Sequence, residues 1–316
     1  MSVPRVLLAV LLVVCLSCST DSATESEAAS ECGTVPAGFT EHTAELSGAQ
    51  VHYGIGGQGP AVVLLHGFPE TWWTWREVMP RLAERHTVIA PDLPGVGCSS
   101  VDAEGYDSAT MARDVHDLVA SLGIDRVALV GHDTGGWVAY AYARQFREEV
   151  SHLVLSGAAI PGFGLERLLD FREPGQGLPH LPFFLQPEVP ETLIGGRENE
   201  YFGDFINSAA MHDSGAVDFY ARSYARPGRL TAALAQYRAL YTSAEANRRG
   251  AGPTLVMPTL ALSGTGQTAI TVDGLRQVAQ NVGEVGIPGG GHYVQEERPA
   301  EVADALEGFF ATPPPT

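Results

Sequence analysis

The sequence predicts an α/β protein: a mostly parallel sheet with helices on both faces, interrupted by an inserted helical block. Three observations carry this. From Phe39 onward, short apolar runs alternate with amphipathic stretches, as a parallel sheet requires when each crossover supplies a helix. Between 161 and 253 the alternation stops, and Pro, Gly and aromatic residues take over without a clear strand. It resumes at Pro258 and runs to Phe310. With 316 residues, 45% of them hydrophobic, the chain can fill a large core and still carry a sub-domain. It shows no internal repeat.

The elements follow in order. Phe39–Leu46 and Gln50–Ile55 read as a hairpin, and Pro60–Leu65 as a buried strand ending at "HGFP". Trp72–Glu84 reads as a helix and Thr87–Ala90 as a strand. In Ser108–Leu122, Met111, Val115, Leu118 and Leu122 fall on one helical stripe. Val127–Val130 is a strand running into a glycine-flanked turn, Gly135–Phe146 a helix and Leu153–Ser156 a strand. Inside the interruption, Val217–Tyr224 and Leu230–Ala246 are helical. Pro258–Ser263, Asp273–Gln280 and Gly283–Ile287 restore the alternation, and Ala300–Phe310 is the last helix. Pro313–Pro315 reads as a frayed tail.

The formal charge is −18, and no lysine occurs, so every fully basic side chain is an arginine. A nucleic-acid binder needs a basic patch, and this composition argues against one. Residues 1–18 carry one positive charge, Arg5, then the eleven-residue apolar run Val6–Leu16. That is shorter than the about 20 residues of a membrane span and fits an export signal. Cys18, followed by polar "STDSATESEAASE", resembles a bacterial lipoprotein cleavage site, although Cys15 stands where leucine is usual. A lipid anchor at Cys18 and free secretion fit equally well. Residues 19–36 read as a polar tether. Processing leaves Cys32 and Cys98, for which free thiols are the expectation although export permits oxidation. No cysteine–histidine spacing suggests zinc.

The chemistry lies in three stretches: "HGFP" at His66–Pro69, the turn in "LVGHDTGGWVAY", and "GGGHYVQEERP" with His292. A strand–turn–helix corner of the small-x-nucleophile-x-small type usually presents a serine. Here it presents Asp133. A serine attacking a saturated carbon would form an ether that water cannot release. A carboxylate forms an ester, which water can cleave at the aspartate's own carbonyl carbon. Asp133 therefore points to substitution at sp³ carbon, in an epoxide or alkyl halide, by a covalent two-step route. His292 is the expected base for the water of the second step. Backbone N–H groups of Phe68 and Thr134 are expected to hold charge on the Asp133 carbonyl oxygen. His66 and His132 read as scaffold or turn residues, and Trp72, Trp73 and Trp75 as core or pocket wall.

The order of these motifs resembles the α/β-hydrolase superfamily from about Phe39 to Phe310. That implies an eight-stranded, mostly parallel sheet, a core over 37–160 and 254–312, and a helical cap over 161–253. Within it, "HGFPETWWTWR" and "YRAL" at Tyr237–Leu240 are similar to the epoxide hydrolase form, which places a ring-opening tyrosine in the cap. "ETLIGGRENEYF", "YARSYARPGRL" and "QYRALYTSAEAN" resemble the Cif-type secreted bacterial epoxide hydrolases. That group pairs its cap tyrosine with a histidine, and "LPHLPFF" offers His180. The aromatic residues of the cap point to a small lipophilic substrate, and the resemblance implies an epoxide, no cofactor or metal, and a homodimer.

One departure stands out. The third member of the triad, an acid, is a glutamate after the sixth strand in the Cif-type pattern; here Gly157 occupies that place. The other usual slot, after "LALSG", reads "TGQTAI" without a carboxylate. Three readings stay open: Glu166 or Asp273 reaches His292, the Gln267 amide orients it, or full turnover is lost. The expectation is an exported epoxide hydrolase with a weakened second step. The alternatives are a haloalkane or haloacid dehalogenase of the same fold, or a non-catalytic binding homologue.

Overall fold

A computed structural model describes residues 31–101, 105–172, 177–249, 255–266 and 268–313. The signal segment, Cys18, most of the tether, Gln267 and the end of the tail lie outside the described residues. Eight strands form one sheet: β1 (Phe39–Glu45), β2 (Gln50–Gly56), β3 (Ala61–Leu65), β4 (Thr87–Pro91), β5 (Val127–His132), β6 (Val150–Ser156), β7 (Thr259–Gly264) and β8 (Val282–Ile287). Their spatial order is β1-β2-β4-β3-β5-β6-β7-β8. β1–β2 and β2–β4 pair antiparallel, and the other pairings are parallel. The sheet and its covering helices are those the alternation predicts.

The central strands carry no polar face because both sides are covered. Every residue of β3 and β5 is buried. Fully buried Trp72, Trp75, Leu64 and Leu82 fill one side, and Met111, Leu118, Leu129 and Tyr142 pack on the other. The helices between these strands are α1 (Met79–Leu82), α2 (Ser108–Ser121) and α3 (Thr134–Gln145). Asp107 caps α2 by accepting the N–H groups of Ala109 and Thr110, which satisfies two of the helix's free donors. The helix expected over Trp72–Glu84 is instead a 3₁₀ turn, Trp72–Trp75, followed by the short α1, which Pro80 enters in its first turn.

Between β6 and β7 the chain forms α4 (His180–Phe184), α5 (Val189–Ile194), α6 (Glu198–Phe205), α7 (Ala209–Asp213), α8 (Ala216–Ala225), α9 (Arg229–Arg238) and α10 (Leu240–Arg249). The expected long helix over Leu230–Ala246 is thus two helices that meet at Ala239. These elements bury their own aromatic core around Phe184, Phe202, Tyr220 and Tyr224. Specific bonds hold them to the sheet: the Tyr224 hydroxyl donates to the Glu70 carbonyl at 2.9 Å, and Arg226 and Arg229 donate to the carbonyls of Gly97 and Ser99. The chain ends with α11 (Ala269–Leu275), α12 (Val294–Glu297) and α13 (Pro299–Phe310). No helix among the described residues is long and apolar enough to cross a membrane.

The cysteines correct the sequence expectation. Cys32 and Cys98 form a disulfide with Cα atoms 5.6 Å apart. The end of the tether is not free either. The indole N–H groups of Trp72 and Trp73 donate to the carbonyls of Cys32 (2.7 Å) and Thr34 (3.1 Å). Composition marked this segment as unable to build a core. It is held by one covalent bond and two tryptophans of the main domain instead.

Candidate active site

The parallel strands aim their carboxyl ends at one place, and the site gathers there. β3 ends at His66-Gly67-Phe68, β5 at His132-Asp133, β6 at Gly157, and the loop after β8 carries His292. Asp133 has φ 48° and ψ −120°, in the turn between β5 and α3. Such a backbone costs a non-glycine residue on the order of 1–3 kcal/mol and persists only where neighbours enforce it. They do so by close approach. A side-chain carbon on Gly135 would lie 2.3 Å from the His66 carbonyl oxygen, and one on Gly131 2.4 Å from the Gly135 carbonyl oxygen. Only glycine at both positions lets the helix start against β3 this tightly.

The Asp133 carboxylate sits at the positive end of the twelve-residue helix α3. Its Oδ1 accepts the backbone N–H of Phe68 at 3.1 Å, and its Oδ2 is 3.8 Å from Nε2 of His292. Thr134 opens α3 directly after it. Burial, followed by the positive charge on His132, holds His292 below the usual histidine pKa. It is therefore neutral near pH 7, as a general base must be.

His132 is a scaffold residue of an unanticipated kind. Its Nδ1 lies 2.7 Å from Oε2 of Glu70, and its Nε2–H donates to the His292 carbonyl at 2.9 Å. Burial alone would lower its pKa, but Glu70 outweighs that and pushes it up to about 9. Burial alone would raise Glu70, but His132 and hydrogen bonds from Thr74 and others hold its carboxyl below the usual range. Gly67 N–H (3.2 Å), the Thr74 hydroxyl (2.6 Å) and the Gln295 amide (2.6 Å) also donate to Glu70. His66 is neutral and structural: its Nδ1–H donates to the Gly67 carbonyl, and its Nε2 accepts the Leu93 N–H. Trp72 and Trp75 are core, and Trp73 packs on Phe219 beneath the Arg76 guanidinium.

A cavity of about 890 Å³ opens over this centre. Asp133, His292, Phe68 and Gly157 line its floor, and Tyr237 and His180 line its roof. The two roof rings are 6.4 Å apart, and neither Tyr237 nor His180 makes a side-chain hydrogen bond among the described residues. Burial and the nearby Asp133 charge raise the Tyr237 phenol well above its usual pKa, so it stays protonated as a donor. Burial lowers His180. Trp137, Leu165, Leu181, Phe183 and Phe205 make the walls apolar, with Tyr201, Asp204, Asn207 and Glu297 also on the lining. Sequence reasoning missed these last four and Glu70. Glu70 had a signal, as the residue directly after "HGFP"; Tyr201 and Glu297 lie within the quoted stretches "ETLIGGRENEYF" and "GGGHYVQEERP" but carry no signal of their own, and Asp204 and Asn207 lie outside any motif.

Of the substitutes for the triad acid, the two carboxylates are not at the site, and Gln267 lies outside the described residues. Glu166 accepts from Gly162 N–H and pairs with Arg248, and Asp273 pairs with Arg167. Among the described residues nothing hydrogen-bonds Nδ1 of His292, and no cluster of His, Cys, Asp and Glu could hold a metal ion.

The chain belongs to the α/β hydrolase fold family, whose pattern matches residues 60–299. It is similar to a soluble epoxide hydrolase of Corynebacterium sp. (strain C12), with 34% identity over 86% of this chain and 98% of that protein. A fluoroacetate dehalogenase of Burkholderia sp. is 29% identical over 87% of this chain and 94% of its own length. Among solved structures, Cfl2 from Burkholderia cenocepacia superposes with a TM-score of 0.78 at 37% identity, covering 86% of this chain and 96% of that one.

Proposed function

We propose that this protein is an exported epoxide hydrolase that opens a lipophilic epoxide to a vicinal diol through an ester on Asp133. The observation that carries the reading is a roof of two free proton donors facing a carboxylate. Tyr237 and His180 stand across an apolar cavity from Asp133. In the first step Asp133 attacks a ring carbon and the C–O bond breaks, while the Tyr237 phenol protonates the departing alkoxide and a His180 ring N–H hydrogen-bonds to it. In the second step His292 takes a proton from water, which attacks the ester carbonyl carbon. N–H groups of Phe68 and Thr134 bear the charge that develops on the carbonyl oxygen. Similarity to an epoxide hydrolase along nearly its whole length supports this reading. With Gly157 in place of an acid, the second step is the slow one, because the imidazolium it creates has no carboxylate beside it.

An intact-mass time course with a small terminal epoxide tests this. A transient gain of one substrate mass followed by diol is the expected course, with the adduct accumulating before it decays. Neither adduct nor diol across several epoxides would sink the reading. The dehalogenase reading has its own support in similarity to fluoroacetate dehalogenase, and halide release from a haloacid without diol from any epoxide would select it. Tight ligand retention without consumption would select a binding protein.

A further inference from the structure

We propose that Glu296 and Tyr220 are positioning residues for His292: through this pair the cap holds the loop of the base in place for the second step. Glu296 lies on α12, just after His292 in the chain, and its side chain is 1% exposed. Two elements distant in sequence meet on its carboxylate. An Arg76 guanidinium nitrogen donates to Oε1 at 2.9 Å and lies 2.8 Å from Oε2. The Tyr220 hydroxyl, buried on cap helix α8, donates to Oε1 as well. Arg76 is fixed in turn: it stacks 3.7 Å from the centre of the Trp73 ring and donates to the Trp73 carbonyl at 3.1 Å. Arg76, Tyr220 and Glu296 do not line the cavity, so none of them touches a substrate there.

A buried ion pair is weak evidence for stability, because desolvation can cost as much as the attraction returns. What this one supplies is place. α12 has four residues, and a helix so short does not hold its own position. Side-chain bonds hold it instead. Gln295 donates to Glu70 at 2.6 Å and to the Thr74 hydroxyl at 3.1 Å, and His132 donates to the His292 carbonyl. These bonds end in the core; the Tyr220–Glu296 bond ends in the cap. One turn further along α8, Tyr224 donates to the Glu70 carbonyl, just beyond Phe68. One face of the cap helix therefore braces the stretch that carries the Phe68 N–H and the stretch that carries His292. In the second step water's proton passes to Nε2 of His292 as its oxygen attacks the ester carbonyl carbon. The acyl C–O bond breaks, and the leaving alkoxide takes the proton. A reacting group displaced by about 1 Å loses about 10²-fold in rate, whereas attack by Asp133 uses no base. The first step is therefore indifferent to the Tyr220–Glu296 bond.

The kinetic test rests on the epoxide hydrolase reading, whereas the exchange test does not. Burial outweighs Arg76 and pushes the Glu296 carboxyl up to about 7, so both are run at about pH 8, where it is ionised. Tyr220→Phe removes one oxygen, keeps the ring and changes no charge. Arg76 still holds Glu296 in that variant, so decay of the Asp133 ester, followed by intact mass, should slow by roughly tenfold while adduct formation keeps its rate. Glu296→Gln keeps an acceptor for both donors and should slow decay less than Glu296→Ala. Tyr142→Phe removes a similar phenol–carboxylate bond, to Glu149 at 3.0 Å, and should leave both steps unchanged. A merely structural bond would lower stability in both phenylalanine variants without separating the two steps. Unchanged ester decay in Tyr220→Phe, or equal slowing of both steps, would overturn the proposal. In the second test, backbone amides from Gly291 to Glu297 should exchange hydrogen faster in Tyr220→Phe while those of β5 keep their protection. Unchanged exchange would overturn the proposal as well. If no epoxide forms an ester, the epoxide hydrolase reading fails, and exchange alone decides whether the cap holds this loop.

Discussion

Nδ1 of His132 lies 2.7 Å from Oε2 of Glu70, and neither side chain reaches solvent. This buried ion pair joins two stretches of the candidate site. Glu70 follows "HGFP", and His132 precedes Asp133 and holds the His292 carbonyl. Removing one partner of such a pair leaves an uncompensated buried charge and typically costs about 3–5 kcal/mol. Glu70→Gln should lower the unfolding free energy by roughly 3 kcal/mol. Urea titration at pH 7 measures this, and a loss within error would show that the pair does not anchor the site.

The same pair sets a pH dependence. The His132 pKa rises from 6.5 to about 9, as does that of His52, which pairs with Asp92 and Glu41. Burial opposes both shifts, and the carboxylates outweigh it. A raised pKa means that the folded state holds the proton more tightly. The stabilisation is therefore complete below about pH 6.5 and is lost as pH rises through about 9. Glu70 and Asp92 are depressed, so their contribution is present above the usual carboxylate range and lost below it. Thermal midpoints should be highest near pH 6 and fall toward pH 10. A His132→Gln, His52→Gln double variant should flatten the alkaline limb, and an unchanged limb would contradict the assignment.

In the proposed mechanism His292 and Asp133 serve different steps, so their variants should fail differently. Asp133→Ala should form no covalent adduct and lose on the order of 10⁴–10⁶-fold in turnover. His292→Asn should still form the adduct and then retain it, because attack by Asp133 needs no base. Intact mass of the two proteins after epoxide treatment separates these outcomes. An adduct on Asp133→Ala would place the nucleophile elsewhere.

Tyr237→Phe and His180→Phe each remove one roof donor without opening the cavity. General acid assistance is worth about 10²–10⁴-fold, so adduct formation with an epoxide should slow by roughly 10²-fold in each and more in the double variant. Ester decay should be unchanged. Equal slowing of both steps would mean that the two residues shape the cavity rather than protonate the ring oxygen.

The disulfide closes a loop of 66 residues. Replacing Cys32 and Cys98 with serine should cost about 2–5 kcal/mol of stability. Chemical denaturation of the oxidised protein and the double variant checks this, and equal stability would show that the tether end contributes nothing.

Much of this protein was legible in its sequence. Period-two and period-3.6 patterns gave the strands and most helices, because a sheet covered on both faces leaves a local record of burial. The Asp133 turn was legible because the elbow and its glycines are a local backbone device, whereas the empty acid position at Gly157 was read from the resemblance to the Cif-type pattern. The 72–84 and 230–246 segments were mispredicted because apolar periodicity does not register where Pro80 or the Ala239 junction breaks a helix. Only the tertiary structure decided the rest. The Cys32–Cys98 bond, the Glu70–His132 pair and the placement of Tyr237 and His180 over Asp133 each join residues tens of positions apart. Their energies come from charges and donors brought together out of water, and no local pattern along the chain records which distant partner a buried group will meet.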